Sequence, residues 1–271
     1  MSDMGQNTER GVGRSASEPL AAAGRAPGGG VARVSRVAWT FVSVLAVETL
    51  VVALALALPG MIGVFALEQT VGSPYERALV LALIAVPAFL LFTLGLMVWS
   101  ALATRALGWR TPPNVSLPLA ELSWPLLDWA RGMVLQHFTR LFAGAVWRAS
   151  PVWTFYLRLN GARIGRRVYV NTLSIVDHSL LSIGEGTVIG SDVHMGGHWV
   201  ERGAVHTART TIGRDVTIGN GSVVGIGVTI GDGAQVGALC VVPKSTHIEA
   251  GAVYLGVARP SGDRRGAADS D

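Results

Sequence analysis

The apolar residues of this chain follow two patterns, continuous in the first half and periodic at six residues in the second. Residues 37–67 are almost wholly apolar, broken mainly by Glu48, and residues 49–67 carry no charge. Residues 78–104 form a second uncharged run, bracketed by Arg77 and Arg105. A helix needs about 20 apolar residues to cross the ~30 Å hydrocarbon core, so both runs predict transmembrane helices. Pro59 and Pro87 predict kinks, which spans tolerate because neighbouring groups satisfy the freed backbone.

Between the spans and the repeat lies a bridge, residues 108–160. Trp124, Trp129, Trp147 and Trp153 are spread through it, with Leu126, Leu127, Met133, Val134, Phe138, Leu141 and Phe142 at spacings of three and four. This spacing predicts one or two amphipathic helices. The tryptophans suit an interfacial helix beneath the spans, and the same helix can cap the end of the repeat.

Stepping by six from Ile212 gives Ile218, Val224, Ile230, Val236, Val242 and Ile248, all branched aliphatics. The residue after each is Gly213, Gly219, Gly225, Gly231, Gly237, Pro243 and Glu249. Four places on from each aliphatic come Val216, Ser222, Val228, Ala234, Cys240, Thr246 and Ala252, all of small or modest volume. Two rules held over all seven units, with glycine in five of them, predict a solenoid in which each unit is a short strand and a turn, with parallel ladders between stacked coils. The branched residue fills the interior, the small one lies beside it, and the glycine permits the turn's φ and close backbone approach. Upstream, Ile164, Val170 and Val176 keep the step, with Val168, Ser174 and Leu180 as inward partners. The phase then slips by one residue to Ile183 and Ile189, partnered by Thr187 and Val193. Residues 194–211 are expected to leave the stack as a loop.

Composition fits this division. Half of the 271 residues are hydrophobic and 34 are glycine, and the mean hydropathy is +0.43. Residues 1–36 and 261–271 read as disordered tails, and the first apolar run begins too late for a signal peptide. The single cysteine, Cys240, excludes an internal disulfide and sits at an inward position as a filler. A net charge of +4 with scattered arginines argues against nucleic-acid binding. Arg10, Arg14, Arg25, Arg33 and Arg36 precede the first span, and Arg105 and Arg110 follow the second. The positive-inside rule then places both ends, and the repeat, in the cytoplasm of a multi-pass cell-membrane protein. Glu48 is a polar contact between helices, a packing hydrogen bond or an interfacial residue.

The repeat over residues 160–260 resembles the hexapeptide-repeat, or left-handed β-helix, acyltransferase superfamily, as does the closing run VVPKSTHIEAGAVYLGVARP. The resemblance implies the left hand, since the general rule for parallel crossovers favours the right. It also implies a homotrimer with active sites between adjacent coils, and a histidine base on a loop leaving the stack. Together with the paired spans and the GGHWVERG string, SPVWTFYLRLNGARIGRRVYV is similar to the C-terminal units of ε-poly-lysine-synthetase-like peptide synthetases. That resemblance implies aminoacyl transfer from a carrier thioester. The expected fold is thus mixed: two transmembrane helices, an amphipathic helical bridge and a left-handed parallel β-helix.

The candidate chemistry is acyl or aminoacyl transfer, from a coenzyme A or phosphopantetheine thioester on a carrier protein, to a small-molecule amine or hydroxyl. It needs a base for the acceptor's proton, donors for the oxyanion and a groove for the thioester arm. Histidine suits the base. His198 is the first candidate, with close approach permitted by Gly196 and Gly197 and with Glu201, three residues on, to orient the ring. His194, at the outer wall, and His206, within the excursion, are the alternatives. Lys244 matches the closing-turn lysine of the superfamily and is placed to meet a phosphate or a phosphopantetheine arm. His137 reads as a helix-face residue, His178 as an exposed turn residue and His247 as an outward residue on a flat side. Three histidines also invite comparison with γ-class carbonic anhydrases, but the regular stack from Ile212 offers only His247, and no metal is expected. A non-catalytic repeat serving as a scaffold is the remaining alternative.

Overall fold

In the computed structural model, which describes residues 29–256, the two apolar runs are the long helices α1 (Gly30–Gln69) and α2 (Pro74–Ala106), packed together and joined by a short turn. The expected tail at residues 261–271 and most of that at 1–36 lie outside the described residues. The helix starts at Gly30, however, so Arg33 and Arg36 ride on its first turns. Helix α2 opens with a capping box: the Ser73 side chain accepts from the Glu76 N–H, and the Glu76 carboxylate accepts from the Ser73 N–H at 2.6 Å. Pro59 and Pro87 lie inside continuous helices. Gly95 brings the pair together, since a Cβ there would lie 3.1 Å from the Ala55 Cα, a small-residue contact of the kind that packs helices in lipid. Both helices are long and apolar enough to cross a membrane. Trp39, Phe41, Leu45, Phe65, Leu83 and Val86 are exposed on them, where a soluble core pair would bury such side chains.

The bridge begins with an extended segment and continues as α3 (Trp124–Thr139), which packs on both long helices. It passes through a π-helical turn, Arg140–Gly144, into the short α4 (Ala145–Trp147). The Trp147 indole N–H donates to Thr93 on α2 at 2.9 Å. Helix α5 (Pro151–Leu159) then caps the solenoid, with Trp153, Tyr156 and Leu157 buried against the first coil. One hydrophobic cluster therefore runs from Met97 and Ala101 of α2, through α5, to Ile248 near the end of the stack.

The solenoid is the parallel β-helix expected from the repeat, built from three parallel sheets of very short strands. One aligns Ile164, Ile183, Ile212, Ile230 and Ile248. The second aligns Val170, Ile189, Ile218, Val236 and Tyr254. The third aligns Met195, Val224 and Val242, with Ile175 bridging to Met195. Val216, Ser222, Val228, Ala234 and Cys240 are buried between them, as the small-residue rule requires. The Ser222 hydroxyl is satisfied by donating to the Gly237 carbonyl at 2.8 Å.

Three details differ from the sequence expectation. The phase slips earlier: Ile175, not Val176, points inward, because it must align with Met195 of the next coil. The step from Val170 is one residue short, and Asp177 and His178 are drawn into the interior.

The glycine after each aliphatic residue serves approach rather than φ. A Cβ on Gly219 would lie 2.4 Å from the Ala238 nitrogen, and one on Gly231 would lie 2.5 Å from the Ala250 nitrogen. The left-handed φ falls two residues later, at Gly221, Gly227, Gly233 and Gly251, and also at Asp215, Leu239 and Ser245.

The excursion is also no loop. His198–Glu201 and Ala204–Thr207 form an antiparallel hairpin, turned by Arg202 and Gly203 at φ 49° and 74°, as two-residue hairpins require. A third strand, Ser116–Pro118, comes from the bridge. Val205 packs with Leu117 of that strand and Leu126 of α3.

Candidate active site

Strand alternation decides which excursion residues meet. Along residues 198–201, side chains point to opposite faces in turn, so His198 and Glu201 face opposite ways. Glu201 does not orient His198; it forms an exposed ion pair with Lys244 at 2.5 Å. His206, cross-strand from Trp199, shares the Trp199 and Glu201 face and is also turned away from His198.

The partner of His198 is Asp177. Its Oδ2 lies 2.5 Å from His198 Nδ1 and accepts the Gly197 N–H at 3.2 Å. Its Oδ1 accepts the Thr111 hydroxyl at 2.7 Å and the Trp129 indole N–H at 3.1 Å. The carboxylate side chain has no exposed surface, while that of His198 is 21 % exposed. Burial alone would raise the Asp177 pKa, but hydrogen bonds from His198, Thr111 and Trp129 and the His198 charge hold it below the usual carboxylate value. The Trp129 ring meets the imidazole edge-on, with centroids 5.0 Å apart. Gly196 and Gly197 permit the approach as expected, since Cβ atoms there would lie 2.5 Å from Val176 and Leu180 carbons. The ring is thus held through Nδ1.

His194 lies on the outer flat face, in register with Val223 and, beyond it, Val241. Burial first, then the charges of His198 and Arg140, lower its pKa. Across from this wall, Trp199 and Glu201 of the hairpin enclose a cleft of about 280 Å³, with Val223, Val241, Pro243 and Lys244 on the coil side. Among the described residues, no three His, Cys, Asp or Glu side chains converge as metal ligands do.

His178 is buried, contrary to the exposed position expected of it, because the early phase slip turns it inward. Its Nε2 donates to the Ile175 carbonyl at 3.2 Å and its ring packs edge-on to Tyr156. Burial drives its pKa down to about 4 from 6.5. The unfolded chain therefore binds a proton near pH 6.5 that the folded chain refuses until about pH 4. Stability is complete above 6.5 and falls across this window, by about 3 kcal/mol in total. Unfolding of detergent-solubilised protein followed from pH 7 to pH 4 should show this slope, and His178→Asn should flatten it.

No family model matches the chain. It is 28 % identical over 109 residues to a delta-poly-L-ornithine synthetase of Acinetobacter baumannii, a match covering 40 % of this chain and 8 % of that protein. Among solved structures, it is similar to a maltose O-acetyltransferase from Clostridium difficile. The identity is 20 % and the TM-score 0.31, over 38 % of this chain and 68 % of that one. It is also similar to serine acetyltransferase isoform 3 of Entamoeba histolytica in complex with cysteine. There the identity is 18 % and the TM-score 0.28, over 69 % and 67 % of the two chains. Hexapeptide-repeat acetyltransferases and a peptide-synthetase-like protein are the two relations expected from the sequence.

The bridge residues Thr111 and Trp129, and Asp177 itself, were not singled out as site residues from the sequence. The available signal was a carboxylate beside a histidine, Asp177-His178, next to the point where the six-residue step breaks.

Proposed function

We propose that the chain is a membrane-anchored acyltransferase, an enzyme that moves an acyl or aminoacyl group from a coenzyme A or carrier-protein thioester to an amine or hydroxyl. The observation that carries this reading is the His198–Asp177 pair, an accessible imidazole oriented by a wholly buried carboxylate with four donors. Asp177 holds the Nδ1–H tautomer, so Nε2 is the base. It takes the acceptor's proton as the acceptor nitrogen or oxygen attacks the thioester carbonyl carbon. The C–S bond then breaks, and the imidazolium returns the proton to the departing thiolate. The products are an amide or ester and a free thiol.

The cleft between Trp199 and the Val223–Val241 wall suits a pantetheine arm, apolar along its floor with Lys244 at its mouth. Because His198 and the cleft-lining Trp199 and Glu201 lie on opposite faces of one strand, the base of one copy would serve the cleft of another. A homotrimer supplies that arrangement. The basic flanks favour a cytoplasmic repeat, where thioester donors are found. The name of the A. baumannii relative favours an aminoacyl group and an amine acceptor.

Lys244→Ala should raise KM for the thioester several-fold with little change in kcat. Glu201→Gln should retain most of the turnover, because it does not touch His198. Thiol release by the solubilised protein, offered acetyl-coenzyme A or an aminoacyl carrier protein with a pool of amines, measures both. Loss of kcat in Glu201→Gln comparable to that in His198→Ala would return Glu201 to the base pair and overturn this assignment.

A further inference from the structure

Where the first turns of α1 meet the start of α3, a basic and aromatic corner adjoins an open apolar slot. The slot, about 330 Å³, is lined by Val34, Val37, Ala38, Leu122 and Arg33. The Arg36 guanidinium lies 5.8 Å from the centre of the Trp124 ring. Arg131 approaches the same ring at 5.5 Å, but it is buried and bonded to Asp128 at 2.6 Å. Among the described residues, neither Arg33 nor Arg36 has a carboxylate within ion-pair distance. Glu121, next to Leu122, offsets part of their charge and leaves two arginines against one carboxylate.

The corner also lies at a defined depth. Arg33 and Arg36 immediately precede the apolar run that begins at Val37. Trp39 and Trp124 are exposed beside them, at 59 % and 45 %. Exposed tryptophan next to arginine at the end of a span marks the headgroup level. An apolar slot open at that level, with Arg33 lining it and Arg36 three residues further along the helix, matches one amphiphile: a phosphate over a hydrocarbon chain.

We propose that this corner binds an anionic phospholipid, with its phosphate between Arg33 and Arg36 and one acyl chain along Val34, Val37 and Leu122. The site lies apart from the His198 centre and rests on the reading of α1 and α2 as membrane spans.

Carbonate extraction tests the membrane reading by itself, since a protein released into the supernatant fails there and not at the lipid site. The lipid site is tested on full-length protein purified in mild detergent, exchanged into phosphatidylglycerol or phosphatidylcholine, and analysed by native mass spectrometry. Wild type should retain phosphatidylglycerol over phosphatidylcholine. Arg33→Gln and Arg36→Gln should each weaken retention about fivefold, as expected for loss of a basic residue near an anionic lipid surface. Leu122→Trp, which fills the slot and keeps both arginines, should also lose the lipid. Equal retention of the two lipids, or unchanged retention in Leu122→Trp, overturns the proposal. So does displacement of phosphatidylglycerol by inorganic phosphate, because the slot would then have no part in binding.

Discussion

Asp177→Asn is expected to reduce thioester turnover by about 10³- to 10⁴-fold while leaving the protein folded, as seen when other His–Asp pairs lose the carboxylate charge. The asparagine keeps an oxygen for the Thr111 hydroxyl and the Trp129 indole, which both donate to Oδ1. What changes is the edge facing His198 and the Gly197 N–H, which both donate to Oδ2 and would lose their acceptor there. An amide NH₂ at the Oδ2 position donates, so Nδ1 must become an acceptor and the imidazole proton moves to Nε2. The nitrogen meant to take the acceptor's proton then already carries one. His198→Ala should be as inactive, and the pair of variants separates a base from a structural residue. Steady-state thiol release, with circular dichroism and size-exclusion profiles as folding controls, makes the measurement. Persistent release in His198→Ala would move the base to His194, next to the cleft wall. Asp177→Ala is a different experiment, because it leaves three buried donors without an acceptor and should cost about 3–5 kcal/mol of stability.

The second large effect is expected from Gly219→Ala. The added methyl would lie 2.4 Å from the Ala238 nitrogen and 2.6 Å from the Gly237 carbonyl carbon. These are backbone atoms of the next coil, so no side chain can swing aside. The coils must part, which breaks the ladder from the Gly219 N–H to the Val236 carbonyl and opens the packing around Ile218. Overpacking costs about 1–3 kcal/mol and occasionally more, and a clash with fixed backbone belongs at the upper end of that range. Gly233→Ala makes the comparison, since it has φ of +69° and open space around it. It should cost only the left-handed strain, about 1–2 kcal/mol. Thermal unfolding in detergent should rank Gly219→Ala well below Gly233→Ala. The reverse order would mean that φ, not coil spacing, governs the repeat.

The contrast explains what was legible in the sequence. Every unit from Ile212 onward sits in nearly the same surroundings, so the same residue type recurs at the same step. The interior, the small-residue row and Cys240 as a filler follow from that recurrence. The two long apolar helices were legible because each is one nearly uninterrupted run, long and apolar enough to cross a membrane.

Asp177 was not legible, because its role depends on partners far away in sequence. Thr111, Trp129 and His198 lie 66, 48 and 21 residues from it, and a one-residue shortfall after Val170 brings it inside. Glu201 was assigned to His198 on a spacing of three, which places residues together on a helix but on opposite faces of a strand. For a loop, which the broken repeat predicts for this segment, neither rule applies. Its partner strand, Ser116–Pro118, lies in the bridge and carries no repeat to announce it.

Trp129 and Thr111 also decide where the molecule can be divided. A fragment starting at α5 would keep the hexapeptide units, the cleft and both members of the His–Asp pair. It would leave behind the indole and hydroxyl that hold the carboxylate, together with the strand that supports the hairpin. Detaching the coil from the long helices and the bridge would thus give a stack of intact repeats around a slack His–Asp pair. The bridge helices belong to the His–Asp site as much as to the link between the long helices and the coil.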